Sequence, residues 1–482
     1  CRLQRLNLCK AQGISRRTKQ KPTDEKGSGG MENMLIIGAS DAGISAALRI
    51  KEIDPEAVVT VMAADAYPNF SICGLPFYLS GEVSDWRSLA HRSSREIEQK
   101  GIDLLLDHRA LAIDPKAGQV RAQTAEGQML DIGYDKLLIA TGAQSIRPPI
   151  EGLDATGVFF LRWMADSFAI HRFMEQRRPE RAVVIGGGYI GLEMADALTY
   201  KGLTVVLMES APQVLTTLDP ELSKEIRAEL ESRGVQVITG QSVERICEAK
   251  NELMVHTASG EALPADMVLV AAGAAPASRL ARSAGIETGT QDAIRVDRGM
   301  ATTVPGIWAA GDCAETWHRI LNRPVYLPLG TTAHKQGRAA GANMAGEPCE
   351  FQGTLGTQVV KVFDRVAACT GLKRQEARDA GFDPLTAALT AWDHKAYYPG
   401  AKELHIHLTA DRPTGRLLGA QMVGHKESEV SKRIDIIAAA IFQGLSVQEL
   451  CDIDLSYTPP LSSPWDPVQM AAMKWSENSK TR

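Results

Sequence analysis

The chemistry-bearing residues of this 482-residue chain fall into two glycine clusters, an aromatic segment around one cysteine, and seven scattered thiols. The fuller cluster, Gly186-Gly187-Gly188-Tyr189-Ile190-Gly191, follows the apolar run Arg181-Ala182-Val183-Val184-Ile185 and opens a helix-like stretch over 192–201. A buried strand, a glycine turn and a helix start aim backbone N–H groups and a positive helix end at a pyrophosphate. Gly186, Gly188 and Gly191 fill the three positions needed for the turn, the phosphate approach and helix–strand packing. The next strand, over 204–208, ends in Glu209, about 20 residues past the first glycine, where a carboxylate binds a ribose 2′-OH and repels a 2′-phosphate. Residues 210–216 hold no Arg or Lys, so NADH is favoured over NADPH.

The other cluster, Gly38-Ala39-Ser40-Asp41-Ala42-Gly43, follows Met34-Leu35-Ile36-Ile37 and precedes a helix-like stretch over 44–52, with Ser40 in place of the middle glycine. Two dinucleotide sites in one chain imply one cofactor that stays bound and one that exchanges. Strand-like runs close each unit: Leu137-Leu138-Ile139-Ala140-Thr141-Gly142 the first and Val268-Leu269-Val270-Ala271-Ala272-Gly273 the second. Gly306-Ile307-Trp308-Ala309-Ala310-Gly311-Asp312 adds a buried strand with an acid at its tip.

The elements that must position these groups are those of an α/β protein. Length allows about three domains. An apolar fraction of 44% builds several cores, and 42 glycines against 5% aromatics suit many tight strand-to-helix turns. A net charge of -5 gives no reason to expect nucleic acid or an anionic membrane as partner, and no apolar run is long enough for a membrane span. Residues 1–30 differ: eight basic residues stand against Asp24 and Glu25, with no apolar core of a secretion signal, which reads as a disordered extension. The eight cysteines form no C-x-x-C or zinc spacing, which points to a reducing cytoplasm. His405 and His407 alternate on one face of a strand without a third ligand nearby, so an ordinary sheet face is expected and no metal.

Together these residues resemble the pyridine nucleotide–disulfide oxidoreductase superfamily of flavoproteins, whose second FAD motif ends as Ala310-Gly311-Asp312 does, with Asp312 expected on the flavin ribityl chain. The resemblance implies two doubly wound Rossmann-like nucleotide domains and a C-terminal α+β dimerisation domain. The boundaries expected are 31–148 and 272–338 for FAD, 149–271 for NAD and 339–482 for the homodimer interface.

Asn69-Phe70-Ser71-Ile72-Cys73-Gly74-Leu75-Pro76-Phe77-Tyr78 resembles the active-site segment of the single-cysteine branch: coenzyme A disulfide reductases, persulfide reductases and NADH oxidases. Where relatives with an internal disulfide carry a second cysteine, Pro76, Phe77 and Tyr78 stand here. The resemblance makes Cys73 the redox thiol, reducing a disulfide or persulfide with electrons from NADH, and its site should lower its pKa because a thiolate must attack. Asp41 stands where oxidases and peroxidases of the branch place a histidine, which weakens oxygen or peroxide chemistry. An oxidase using a cysteine sulfenic acid and a non-catalytic flavin sensor are the alternative readings.

Tyr457, in a segment like the coenzyme A disulfide reductase ending, is expected to protonate a departing thiolate at the partner subunit's cysteine. Tyr397-Tyr398 matches the family's other tyrosine segment, with the inward-facing member left open and both expected in a strand. Asn69, Phe70, Arg49 and Lys51 are the candidate substrate-binding residues, the last two for coenzyme A phosphates. The acid expected for the FAD ribose aligns with Ala63, and Asp65 is the nearest substitute.

Overall fold

Short apolar runs bounded by glycine turns build the two nucleotide sheets. The computed structural model describes residues 32–249 and 252–480, so segment 1–30 and the disorder expected of it lie outside the described residues. Leu35, Ile36, Val59, Val61, Leu137, Leu138 and Ile139 are buried in one core with helix Asp41–Ile53 and with Ile113, Val120 and Ala122 of a three-stranded antiparallel sheet, His108–Asp114, Gln119–Thr124 and Met129–Gly133. Those seven residues lie on a five-stranded parallel sheet in the order Ile307–Ala309, Lys136–Ile139, Asn33–Ile37, Val58–Met62, Ile102–Leu105. A second parallel sheet runs Gln236–Thr239, Thr204–Glu209, Arg181–Ile185, Met267–Val270, Val158–Phe160. The first sheet therefore takes strands from chain on both sides of the second.

Both closing strands stop earlier than the apolar runs imply, at Ile139 and Val270. Ala140-Thr141-Gly142 and Ala271-Ala272-Gly273 are turns instead, since Gly142 (φ 70°) and Gly273 (φ 108°) adopt backbone that ends a strand. Both nucleotide helices begin earlier than expected, as Asp41–Ile53 and Tyr189–Tyr200, because the last glycine of each cluster already sits inside the first helical turn.

The C-terminal region is a five-stranded antiparallel sheet ordered Gln358–Val362, Arg365–Gly371, Leu417–His425, Glu403–Asp411, Pro384–Trp392. Leu404, Ile406 and Leu408 are buried in the core shared with helices Val430–Gln443 and Pro467–Lys480. The intervening His405 and His407 lie on the other face, where their Nδ1 atoms meet Thr390 Oγ1 at 3.3 Å and Asp219 Oδ2 at 2.9 Å. Among the described residues no cluster of His, Cys, Asp or Glu is arranged to hold a metal, and no helix is long and apolar enough to cross a membrane. Two Rossmann-like parallel sheets and a C-terminal α+β unit are the fold class the sequence implies.

Candidate active site

The two glycine clusters fold into one construction. Gly38 (φ 118°) and Gly186 (φ 112°) turn the chain off the strand, and only glycine takes that backbone freely. A Cβ on Gly43 or Gly191 would overlap the carbonyl oxygen of Gly38 or Gly186, so helix and turn touch backbone to backbone. The middle position differs: Ser40 (φ −94°) and Gly188 (φ −83°) are both extended, which explains why the first cluster tolerates serine. Neither residue caps its helix with a side-chain hydrogen bond, so both helix starts lack a side-chain cap where an anion would bind. A Cβ on Gly188 would meet no atom within 4 Å, leaving room for a phosphate.

Acids flank both loops. Glu209 Oε2 accepts the Gly187 N–H at 2.6 Å and Oε1 the Ala211 N–H at 2.7 Å, which fixes the carboxylate at the loop. Asp65 accepts the Tyr67 N–H at 3.1 Å, while Ala63 is buried at the end of the second strand. Gly311 (φ 81°) packs against Ala42 and donates to Gln336 Oε1 at 2.8 Å, presenting Asp312 beside the first helix start. The Asp312 carboxylate pairs with Arg162 at 2.7 Å.

Cys73 sits in the single turn Ile72–Gly74 that leads into helix Leu75–Ser80. Asn69 staples this segment to the first glycine loop: its N–H donates to Ala39 O at 2.7 Å and its carbonyl accepts the His91 N–H at 2.9 Å. Asn69 is buried, with Arg92 Nη1 on its Oδ1 at 3.3 Å, so these contacts hold it in the frame of the cysteine segment. Phe70 joins Tyr67, Trp86 and Phe168 in an aromatic cluster that braces the cysteine turn.

Cys73 itself is exposed, yet enough protein surrounds its sulfur to penalise a thiolate. Burial raises the thiol pKa, and the carboxylates of Glu193, Asp41 and Asp312 add to it, while Arg162 opposes. The direction is therefore opposite to the expected lowering: burial leads, three carboxylates add to it, and the one opposing guanidinium is already paired with Asp312. Burial also raises the Asp41 carboxyl, opposed by His91 and His334.

Glu193, on the second nucleotide helix, was not singled out by sequence. Burial raises it to about 7, against the pull of Lys361 and with a push from Asp196. Its folded value lies above the ordinary 4.5, so the native state holds the extra proton and stability falls as pH rises from about 4.5 through about 7. Glu193→Gln is expected to raise stability at pH 8 by on the order of 1–2 kcal/mol, allowing for partial exposure, and to lose most of that gain at pH 5. Thermal unfolding of the FAD-loaded protein at both pH values checks this, and an equal gain at both would contradict it.

The sequence pattern of the family described as pyridine nucleotide-disulphide oxidoreductase matches residues 32–337, which hold both loops and Cys73. The chain belongs to this family. The pyridine nucleotide-disulphide oxidoreductase dimerisation domain matches residues 357–467 and supports a homodimer. A Pyrococcus abyssi protein named NAD(P)H sulfur oxidoreductase (CoA-dependent) is 37% identical over 92% of this chain and 97% of its own. A Methanocaldococcus jannaschii protein named NADH oxidase is 32% identical over 91% of this chain and 97% of its own. The structure of an NAD-dependent persulfide reductase from A. fulgidus superposes with a TM-score of 0.87 at 37% identity, covering 92% of this chain and 82% of that one.

Pyridine nucleotide-disulphide oxidoreductases use FAD and NAD(P)H, and this chain's residues fit both. Each uncapped helix start would take a pyrophosphate. The loop residues Gly38 to Gly43 with Gly311 and Asp312 suit FAD, and Gly186 to Gly191 with Glu209 suit the nicotinamide nucleotide.

Other candidate residues of this oxidoreductase lie elsewhere than expected. Tyr397 and Tyr398 are in the loop between Trp392 and Glu403, not in a strand, and both are exposed. Desolvation and the neighbouring Tyr457 raise the Tyr397 pKa, whereas Tyr398 packs edge-on against His394. Arg49 is paired with Glu52 and Glu347, and Lys51 Nζ donates to the carbonyls of Pro55 and Ala57. Both cations thus have acceptors of their own within the protein. Arg162, Glu193 and His334 have no local motif to announce them, because they reach the site from separate elements.

Proposed function

We propose that the protein passes hydride from NADH, through FAD, to a disulfide or persulfide held by Cys73, with coenzyme A the favoured thiol. The observation that carries this reading is an exposed thiol standing alone in its turn, with Pro76, Phe77 and Tyr78 where a second thiol would be needed for an internal disulfide. NADH supplies two electrons and one proton, solvent supplies a second proton, and one S–S bond becomes two S–H groups. When bound, FAD relays the two electrons to sulfur.

Cys73 carries the substrate thiol as a mixed disulfide, and two electrons break that bond to give the Cys73 thiolate and a released thiol. The thiolate attacks the next disulfide, forms a new mixed disulfide and expels a second thiolate, which takes up a proton. The raised pKa fits this order of events. The thiolate is made by cleaving a bond rather than by ionising a resting thiol, and a more basic thiolate is a stronger nucleophile. In the homodimer the exposed Tyr397–Tyr457 pair of one subunit serves Cys73 of the other as proton donor, a role open to a phenol. Glu209 supports NADH over NADPH, and free-thiol chemistry suits the reducing cytoplasm. The CoA-dependent activity in the name of the 37% identical relative supports the choice of thiol.

With NADH in air and no sulfur substrate, turnover is expected to be slow and to yield hydrogen peroxide. Asp41 offers no imidazole at this position of the first loop. Adding coenzyme A disulfide or a coenzyme A persulfide should accelerate NADH oxidation and release thiol in step with it. Rapid reduction of oxygen to water without sulfur substrate would replace this reading with that of an NADH oxidase.

A further inference from the structure

We infer that Arg433 is the positioning residue of the Tyr397–Tyr457 pair, an inference that rests on the tyrosine role proposed above. The two tyrosines come from separate irregular segments: the loop after strand Pro384–Trp392 and the stretch before helix Pro467–Lys480. Loop backbone alone does not hold two phenols in register to the fraction of an ångström that proton transfer requires. A rigid tie between the segments is needed, and Arg433 supplies it.

Arg433 lies in the first turn of helix Val430–Gln443 and is 5% exposed. Its guanidinium donates to Asp393 O at 2.7 Å, at the root of the Tyr397 loop. In the Tyr457 segment it donates to Leu461 O at 3.2 Å and to the Asp466 carboxylate. A fourth bond reaches Ser428 O at 3.3 Å. The acceptors are fixed in turn. Asp466 accepts the Ser462 hydroxyl at 2.8 Å and the Val468 N–H at 2.9 Å. The Asp393 carboxylate accepts the Ser428 hydroxyl at 2.7 Å and the Lys402 N–H at 3.0 Å, which closes the neck of the Tyr397 loop. Between the two segments, the Lys395 N–H donates to Pro459 O at 3.3 Å.

Only a planar fork of five donors satisfies acceptors spread over four chain positions; a lysine ammonium keeps the charge and loses the geometry. Arg433 acts on the reaction only through the tyrosines, since every hydrogen bond it makes is with this frame.

The test uses FAD-loaded homodimers of wild type, Arg433→Lys, Asp466→Asn, Tyr457→Phe, Tyr397→Phe and the double variant Arg433→Lys/Tyr457→Phe. Flavin reduction by NADH is followed separately from turnover with coenzyme A disulfide, and turnover is measured across pH. Arg433→Lys is expected to keep NADH-driven flavin reduction and the KM for NADH while kcat with the disulfide falls on the order of tenfold. The basic limb of the pH profile, which Tyr457→Phe identifies, should move. The double variant should be no slower than Tyr457→Phe alone, since both changes disable one device.

If Arg433→Lys and Asp466→Asn keep wild-type kcat and pH profile while Tyr457→Phe is slow, the inference is overturned and the tyrosine reading stands. Multiplicative losses in the double variant overturn it too. If both tyrosine variants turn over like wild type, the tyrosine reading itself fails. Should Arg433→Lys not fold, Asp466→Asn, which keeps the Ser462 contact, decides on the same measurements.

Discussion

Cys73→Ser is expected to yield a yellow, FAD-loaded protein that still accepts hydride from NADH but reduces disulfides at least about 1,000-fold more slowly. Hydride transfer from NADH to FAD makes and breaks no bond to sulfur, so the first half of the reaction has no reason to change. A hydroxyl cannot form the mixed disulfide on which the second half depends. Serine is nearly isosteric and the residue is exposed, so packing does not explain a loss. Mass spectrometry of gently denatured protein should find a thiol adduct on Cys73 in the wild type and none in the variant. Cys313 offers no easy substitute: it is fully buried, with its sulfur 3.4 Å from the carbonyls of Ile139 and Ala310. Full disulfide reductase activity in the serine variant would refute the central role of Cys73.

The second large effect is expected at Gly191. Any side chain there drives Cβ into the Gly186 carbonyl, so Gly191→Val must pry the nucleotide loop off its helix. The FAD loop lies on a different sheet, so the variant should stay yellow while flavin reduction by NADH slows more than about 100-fold, the scale of a 1 Å misplacement. Gly188→Ala is the control. Its Cβ meets no protein atom, so the fold should be intact and any rise in the KM for NADH reports contact with the nucleotide itself. Wild-type NADH kinetics in Gly191→Val would show that this loop does not bind the nucleotide.

Both glycine loops were legible in the sequence because each glycine answers to a local demand of one turn. The structure adds why Ser40 is admissible: that position is extended in both loops, and only the first and last glycines are fixed by protein contacts. The charge balance at Cys73 was not legible. The sequence shows that a thiol is present, but burial raises its pKa, and Glu193, Asp41, Asp312 and Arg162, from four elements, act on it as well. The different neighbours of Tyr397 and Tyr398 were equally hidden, since Tyr457 and His394 come from separate segments. The partners of Arg49 and Lys51 were hidden for a related reason. The two positive charges are visible in the sequence, but the acceptors that engage them, such as Glu347, are not.

The interleaving of the two sheets sets an order for making the protein. The second sheet draws all its strands from Val158 to Val270, so a chain leaving the ribosome can complete it without waiting for later sequence. The first sheet, begun at Asn33, lacks its edge strand Ile307–Ala309 and the adjoining Asp312 until much later. Its early strands must wait through the synthesis of the whole second sheet, an arrangement of long-range contacts that slows folding. FAD capture is thus a late event in biogenesis, and the bound flavin serves as the seal on an assembly whose nicotinamide half is already built.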